Sequence, residues 1–160
     1  MKNLALILVL ASFSVTTFGQ KVDFTGRWML NREISELGPQ FSLAPESLTV
    51  EHARKTLDMT STTEFNGQEY QISQHLTLDG KACENKGYND SVTSSTATYD
   101  KKSGIVTIVT RGSVQGTGYT LTQIMSLKEG KLVFTSEAVS DMGTMNETFV
   151  FDKFLQNSMN

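Results

Sequence analysis

The fold class is decided by Tyr70-Gln71-Ile72-Ser73-Gln74-His75-Leu76-Thr77-Leu78 and by the Asp79-Gly80 pair that follows it. Apolar and polar residues alternate along the first stretch, and a period of two is typical of a β-strand with one buried face. Asp-Gly is a strong hairpin signal because both central positions of a type I′ turn need a positive φ. This part of the chain is therefore predicted to be a half-buried strand that ends in a tight antiparallel turn.

Similar turn signals divide the rest of the chain after residue 60 at nearly even intervals. They are Asn66-Gly67, Asp79-Gly80 and the short segments 87–90, 102–104, 112–116, 129–130 and 141–143. The intervals between them favour β-branched and aromatic residues, and no helical period is sustained. We predict ten strands, near residues 24–30, 47–54, 56–65, 69–78, 81–88, 91–99, 105–111, 117–127, 131–139 and 144–153.

One longer connection separates the first predicted strand from the others. Asn31 is a suitable cap for a short helical turn over 31–37, and Gly38-Pro39 would end it before a loop through Pro45. The remaining connections are short, so successive strands should pair antiparallel, and closing the sheet on itself removes its exposed edges. The predicted fold is all-β: an antiparallel up-and-down meander closed into a barrel of eight to ten strands, with one short helical turn.

The N-terminal residues 1–19 have the pattern of a secretory signal peptide. Lys2 supplies the positive charge, Leu4 to Ala11 the apolar run, and Thr17-Phe18-Gly19 the small residues of a cleavage site. A membrane anchor is the alternative, but the apolar run is about half of the ~20 residues that span a bilayer. We therefore expect one domain, 20–160, exported to the periplasm or the medium in soluble form without a stable membrane anchor.

The charge and the cysteine content of the chain bear on its possible partners and on disulfide formation. After removal of residues 1–19 the chain has 13 basic and 17 acidic side chains, a net charge of −4, and the basic residues are scattered. This distribution disfavours binding to nucleic acid. Cys83 is the only cysteine, so the fold cannot contain an intramolecular disulfide. An inert, buried thiol is favoured over one that forms a dimer, and the sequence does not assign an oligomeric state.

The stretch Phe24-Thr25-Gly26-Arg27-Trp28 lies directly after the predicted leader. It resembles the Phe-(Ser/Thr)-Gly-x-Trp motif of lipocalin-like proteins, particularly the small exported bacterial members; matching positions are Gly26, Trp28, Leu30, Asn31 and Ser35. The aromatic strand 149–153 is similar to the last strand of that family. The resemblance implies a lipocalin-like barrel with Trp28 as a plug at one end. It also implies a basic residue across the indole, either Lys153 or Arg111, so we assign structural roles to Gly26, Trp28 and Lys153.

Catalytic and metal-binding motifs are not found in the sequence. His52 and His75 are the only histidines, and their spacing does not make a compact metal site. The glycines of 112–118 lack the Lys-Ser/Thr end of a phosphate-binding loop, and there is no G-x-S-x-G elbow for a nucleophile. The Ser-rich run 91–96 is interpreted as a solvent-facing strand. We predict no catalytic residue, no metal and no cofactor.

A binding function is favoured by three strands that each present one apolar face. Barrel closure would turn these faces inward, which predicts a small-ligand site lined by Leu57, Met59, Phe65, Tyr70, Ile72, Leu76, Tyr119, Leu121 and Met125. Segments 35–45 and 112–118 are the expected walls of its mouth. Met29, Met59 and Met125 are assigned to the core, and Met142 and Met145 to turns or the rim. The leading hypothesis is an exported carrier of an apolar or amphipathic molecule; the alternative is a non-enzymatic surface-interaction or inhibitor module on a solid barrel.

Overall fold

The computed structural model describes residues 22–65, 67–87 and 91–155, without the side chain of Phe65. The predicted leader, 1–19, lies outside these residues. The described chain forms ten strands: β1 (Gly26–Leu30), β2 (Ser47–His52), β3 (Thr56–Phe65), β4 (Gln68–Thr77), β5 (Asp79–Lys86), β6 (Val92–Asp100), β7 (Ile105–Val114), β8 (Thr117–Lys128), β9 (Lys131–Ser140) and β10 (Gly143–Lys153). The predicted strands agree with these to within three residues at each end.

The ten strands form one sheet in the order β4-β3-β2-β1-β10-β9-β8-β7-β6-β5, and every pair is antiparallel. The first and last strands are neighbours, with Trp28 opposite Lys153. This pairing curls the meander round until β4 and β5, the two ends of the sheet, approach each other. The predicted all-β meander barrel is confirmed.

Closure is completed by side chains rather than by a backbone ladder between β4 and β5. The Asn85 amide on β5 acts like a peptide group: its Oδ1 accepts from His75 N at 2.7 Å and its Nδ2 donates to His75 O at 3.2 Å. Next to it, Thr77 N donates to the half-buried Cys83 Sγ at 3.4 Å. The barrel wall therefore has one seam, between β4 and β5, held by these side-chain contacts. The predicted antiparallel hairpin at Asp79-Gly80 was wrong: Gly80 has a positive φ but Asp79 does not, and the two strands that flank this turn do not pair.

The connection between β1 and β2 is not helical, so the prediction of a helical turn over 31–37 was wrong. Residues 32–34 form a hydrogen-bonded turn in which Glu33 N donates to Asn31 Oδ1. Glu36 then makes an antiparallel bridge to Thr148 through two backbone hydrogen bonds of 2.8 and 2.9 Å. Pairing with β10 requires an extended backbone, so tertiary contact overrides the local capping signal. Among the described residues, no helix is long and apolar enough to cross a membrane.

The two ends of the barrel differ in packing. The closed end contains the start of β1 and the turns at 53–55, 101–104 and 128–131. Trp28 is buried there, and its Nε1 donates to the Phe24 carbonyl at 2.9 Å. Gly26 allows this arrangement, because a Cβ at that position would lie 2.9 Å from the Lys153 side chain. Fully buried side chains around the indole complete a dry core: Phe24, Val50, Phe149 and Phe151.

Candidate ligand-binding site

The opposite half of the barrel, here called the open half, comprises the described residues 30–47, 60–65, 67–74, 83–87, 91–96, 109–123 and 135–148. Its inner face continues the rows of side chains that form the core. In the closed half these inward-facing side chains are fully buried, as at Leu57, Leu76, Val106, Ile108, Met125 and Leu132. In the open half the larger inward-facing side chains are partly exposed, as at Tyr70, Ile72, Tyr119, Leu121 and Gln123, and so is Ala138, whereas Thr93, Ser95, Thr110, Ser136 and Glu147 are buried. The apolar side chains are therefore fully packed in the closed half and accessible in the open half.

Strand register shows that these exposed residues face inward. On β3 and β4 the pairs Leu57–Leu76, Met59–Gln74, Ser61–Ile72 and Thr63–Tyr70 share one face, and the first of them is in the core. On β7 and β8 the same argument holds from the buried pair Val106–Met125 to Thr110–Leu121 and Gly112–Tyr119. Because side chains alternate across a strand, every second residue along these rows faces the interior.

Polar groups line much of this inner face. The Ser95 and Thr110 hydroxyls are buried and lie 2.8 Å apart, within hydrogen-bonding distance. Thr93, one pair further toward the open end, is also buried and donates to the Asn85 carbonyl at 3.2 Å. The interpretation of 91–96 as a solvent-facing strand is therefore wrong for this face. Small hydroxyl side chains are accepted inside because each finds a neighbouring hydrogen-bond partner.

Tyr119 places a phenol on the inner face of β8, next to Gly112 on β7. A Cβ at Gly112 would lie only 2.7 Å from the Tyr119 hydroxyl, so the absence of a side chain at 112 makes room for the ring. Burial raises the pKa of Tyr119 above its ordinary value of 10.0, because the phenolate would lose solvation. The group is thus a neutral phenol at physiological pH, able to donate or accept a hydrogen bond.

Glu147 anchors the connection 31–46 at the mouth of the barrel. Its carboxylate is buried, at 3% exposure, and accepts from Gly38 N at 2.8 Å and Leu43 N at 2.9 Å. The segment that it holds carries exposed apolar side chains, Ile34 and Phe41. Segments 35–45 and 112–118, the predicted mouth walls, both lie at the open end.

A separate pocket of about 270 Å³ lies beside the seam and is open to solvent. It is lined by Asp58, Met59, Thr60, Ser73, Gln74, His75 and Asn85. His75 Nδ1 lies 2.6 Å from Asp58 Oδ1, both on the outer face and well exposed. The neighbouring Ser73 hydroxyl is 3.0 Å from that of Thr60. The other histidine, His52, faces the interior, where its ring packs between Phe24 and Tyr99. No group of three or more potential metal ligands occurs within the described ranges.

The nine sequence-predicted ligand-binding residues fall into three sets. Leu57, Met59, Leu76 and Met125 pack in the dry core of the closed half. Tyr70, Ile72, Tyr119 and Leu121 line the accessible interior of the open half. The structure does not describe the side chain of Phe65. Of the first set, Met59 also borders the pocket beside the seam. The second set is the one that faces the accessible interior of the open half.

The predicted structural residues lie together at the closed end. Lys153 Nζ is 5.3 Å from the centroid of the Trp28 ring, whereas Arg111 is exposed on the outer face of β7 in the open half. Of the methionines assigned to the core, Met59 and Met125 are buried there, but Met29 faces outward with 38% exposure. Met29 alternates with Trp28 on a short strand, and only one of the two can face the core. Met142 is in an exposed turn, as predicted.

Several polar side chains face the interior although their polarity alone predicts exposure to solvent. They are Gln74, Asn85, Gln123, Ser136 and Glu147. Their phase along the strand is the signal that identifies them: four lie two residues from a buried apolar residue on the same strand, and Asn85 lies two residues from the half-buried Cys83. The position of each polar residue along its strand, together with the strand register, identifies it as inward-facing, whereas hydropathy does not.

Comparisons with known proteins address the fold. No protein-family model matches the chain, and no curated protein matches its sequence. Among solved structures, the zebrafish ileal bile acid-binding protein, complexed with cholic acid, is similar with a TM-score of 0.58 and 16% identity, over 82% of this chain and 98% of that one. Human cRBP IV is similar with a TM-score of 0.51 and 13% identity, over 83% of this chain and 99% of its own. At these identities the likeness shows the fold alone, a β-barrel.

Proposed function

We propose that this protein is a carrier that binds a small apolar or amphipathic molecule inside the open half of its barrel. The observation that carries the proposal is the change in packing along the inner face, from fully buried at Leu76 and Met125 to partly exposed at Ile72 and Leu121. A concave, partly apolar space with a few polar groups is typical of small-molecule sites. The bile acid-binding protein among the similar structures supports a binding role over an enzymatic one.

The binding test uses Nile red, an uncharged dye whose fluorescence rises in apolar surroundings. We expect the purified mature chain to bind it with saturable, one-to-one stoichiometry. Leu121→Trp should weaken binding by at least about tenfold, about 1.4 kcal/mol, because the larger ring occupies the space. Ile124→Trp is the matched control: it lies on the same strand but faces outward at 41% exposure, and should leave binding unchanged.

Two results would contradict the carrier proposal. The first is the absence of saturable dye binding to folded protein. The second is an equal loss of binding in Leu121→Trp and Ile124→Trp, which would place the dye on the outer surface. Either result would favour a surface-interaction module that uses the barrel as a scaffold.

We also propose that the carrier acts outside the cytoplasm, after removal of residues 1–19. The basis is the charge, apolar run and small residues of that segment. Intact-mass measurement of protein recovered from the periplasm or medium should show a chain that begins at Gln20. Exported protein that retains Met1 would contradict cleavage at this site.

A further inference from the structure

The inner face of the open half is polar without being cationic. Apart from the tyrosines, the Cys83 thiol and the carboxylate of Glu147, its polar side chains are hydroxyls and amides, among them Gln74, Asn85, Thr93, Ser95, Thr110, Gln123 and Ser136. Such groups both donate and accept hydrogen bonds, so they suit ligand hydroxyls, carbonyls and amides. They carry no charge that could neutralise a charged ligand.

The cations of the open half all lie on its outside. Of the 14 Lys and Arg residues in the chain, only Lys2 and Lys21 lie outside the described ranges. Three of the others are in the open half: Arg32 is exposed and paired with Glu46, while Lys86 and Arg111 are exposed on outward-facing strand positions. No described cation therefore faces the interior of the open half. A carboxylate placed there would lack an ionic partner, and burying an unpaired charge is strongly unfavourable.

Carboxylates outnumber cations around this half. Its described residues include three cations and nine carboxylates, a net charge of −6. The rest of the described chain carries nine cations and seven carboxylates, a net charge of +2. Charge of one sign around a cleft repels ligands of the same sign before they enter. An anionic head group is thus disfavoured both at the mouth and inside.

The negative charge at the mouth attracts a cation, but the interior offers it no accessible partner, because Glu147 is the one inward-facing carboxylate among the described residues of the open half and it is buried. Its Oε1 and Oε2 each accept a backbone hydrogen bond, from Gly38 and Leu43. These two bonds hold the mouth segment over the carboxylate, which is only 3% exposed. A ligand cation could therefore reach it only by displacing that segment.

We propose that the ligand is an uncharged amphiphile: an apolar chain or ring system with a hydroxyl, ester or amide head group. This inference rests on the proposed carrier function and specifies the ligand class for the same site. It separates this protein from a carrier of fatty acids or bile acids, whose ligands bear a carboxylate at neutral pH.

The test compares three amphiphiles with the same twelve-carbon chain by isothermal titration at neutral pH. They are monolauroylglycerol, laurate and dodecyltrimethylammonium, each kept below its micelle concentration. Monolauroylglycerol is expected to bind at least about tenfold more tightly than either charged compound, about 1.4 kcal/mol. If none of the three binds, the carrier function itself fails. If laurate or the ammonium compound binds as tightly as the glyceride, the carrier function stands and the inference is overturned.

A charge-insertion variant provides an independent readout. Gln123→Arg places a cation on the inner face between Ile108 and Ser136, and should raise laurate affinity relative to monolauroylglycerol. Ile124→Arg adds the same charge on the outer face and should leave the ratio unchanged. Equal ratios in the two variants, with both shown to be folded by circular dichroism, would contradict the inference that the lack of an internal cation excludes a carboxylate. The wild-type comparison decides the inference if Gln123→Arg does not fold.

Discussion

Replacement of Trp28 by alanine is the most informative perturbation of the barrel itself. The indole is 1% exposed and lies at the centre of the closed end. Truncating a large buried aromatic costs about 3–5 kcal/mol, through lost burial and the cavity left behind. Domains of this size have about 5–15 kcal/mol of total stability. Trp28→Ala should therefore remain folded only in a narrow range of urea concentration, with a large fall in the unfolding midpoint.

Two further variants divide this effect into its parts. Trp28→Phe keeps an aromatic ring but removes the hydrogen bond from Nε1 to the Phe24 carbonyl, which should cost about 1–3 kcal/mol when the carbonyl is left buried without a donor. Lys153→Met retains much of the apolar stem and removes the ammonium 5.3 Å from the ring centroid. Because Lys153 is exposed, its loss should cost only about 0.5–1 kcal/mol.

Urea unfolding followed by far-ultraviolet circular dichroism measures all three variants on one scale. The expected order of destabilisation is Trp28→Ala, then Trp28→Phe, then Lys153→Met. The structural role of Trp28 would be refuted if Trp28→Ala kept the wild-type midpoint while losing Nile red binding. That result would make the indole a ligand contact instead.

Three other predictions follow from the hydrogen bonds of the wall. Ser95→Ala should lower the free energy of unfolding, measured in urea, by about 1–3 kcal/mol, because the buried Thr110 hydroxyl loses its hydrogen-bond partner. The double variant Ser95→Ala/Thr110→Val should recover part of that stability; no recovery would show that the two hydroxyls do not depend on each other. Hydrogen bonds from Lys131 and Asn31 lower the pKa of Asp152 below its ordinary value of 3.8. The ionised carboxylate therefore stabilises the folded protein fully above pH 3.8, and this stabilisation is lost as the pH falls through the lowered pKa. Asp152→Asn should therefore be less stable than wild type at neutral pH and equal to it in acid; a pH-independent difference would refute this. Asn85→Leu should speed deuterium exchange of the His75 amide, and unchanged exchange would show that the seam does not depend on Asn85.

The strands could be predicted because local chemistry determines their ends. Gln115-Gly116 and Glu129-Gly130 both adopt positive φ in two-residue turns, and such turns force the flanking strands to pair. The alternation between these turns then fixes which apolar side chains share a face. This is why the alternation predicts that Leu57, Leu76 and Met125 face inward, where they are buried in the core; their predicted contact with a ligand stays a prediction.

Features that depend on distant partners could not be predicted in this way. The segment after β1 has a helix cap in Asn31, but Glu36 pairs with Thr148, more than a hundred residues away. The seam depends on Asn85 replacing a peptide group of β4, which no local pattern indicates.

The candidate site was predicted only in its apolar part. Hydropathy identified Ile72 and Leu121, whereas the hydroxyls of Ser95 and Thr110 appear solvent-facing until the register shows that they meet inside. The division between a packed closed half and an accessible open half depends on side-chain volumes round the whole barrel. That division, rather than the list of apolar residues, determines where a ligand fits.

Intermolecular nuclear Overhauser effects would show whether the ligand lies inside the open half. Protein with labelled methyl groups would be saturated with unlabelled monolauroylglycerol. We expect contacts from the acyl chain to the inward-facing methyls of Ile72, Leu121 and Ala138 and none to the outward-facing methyls of Ile124 and Val139. Contacts confined to Ile124 and Val139, or no contacts at saturating ligand, would contradict this position of the ligand.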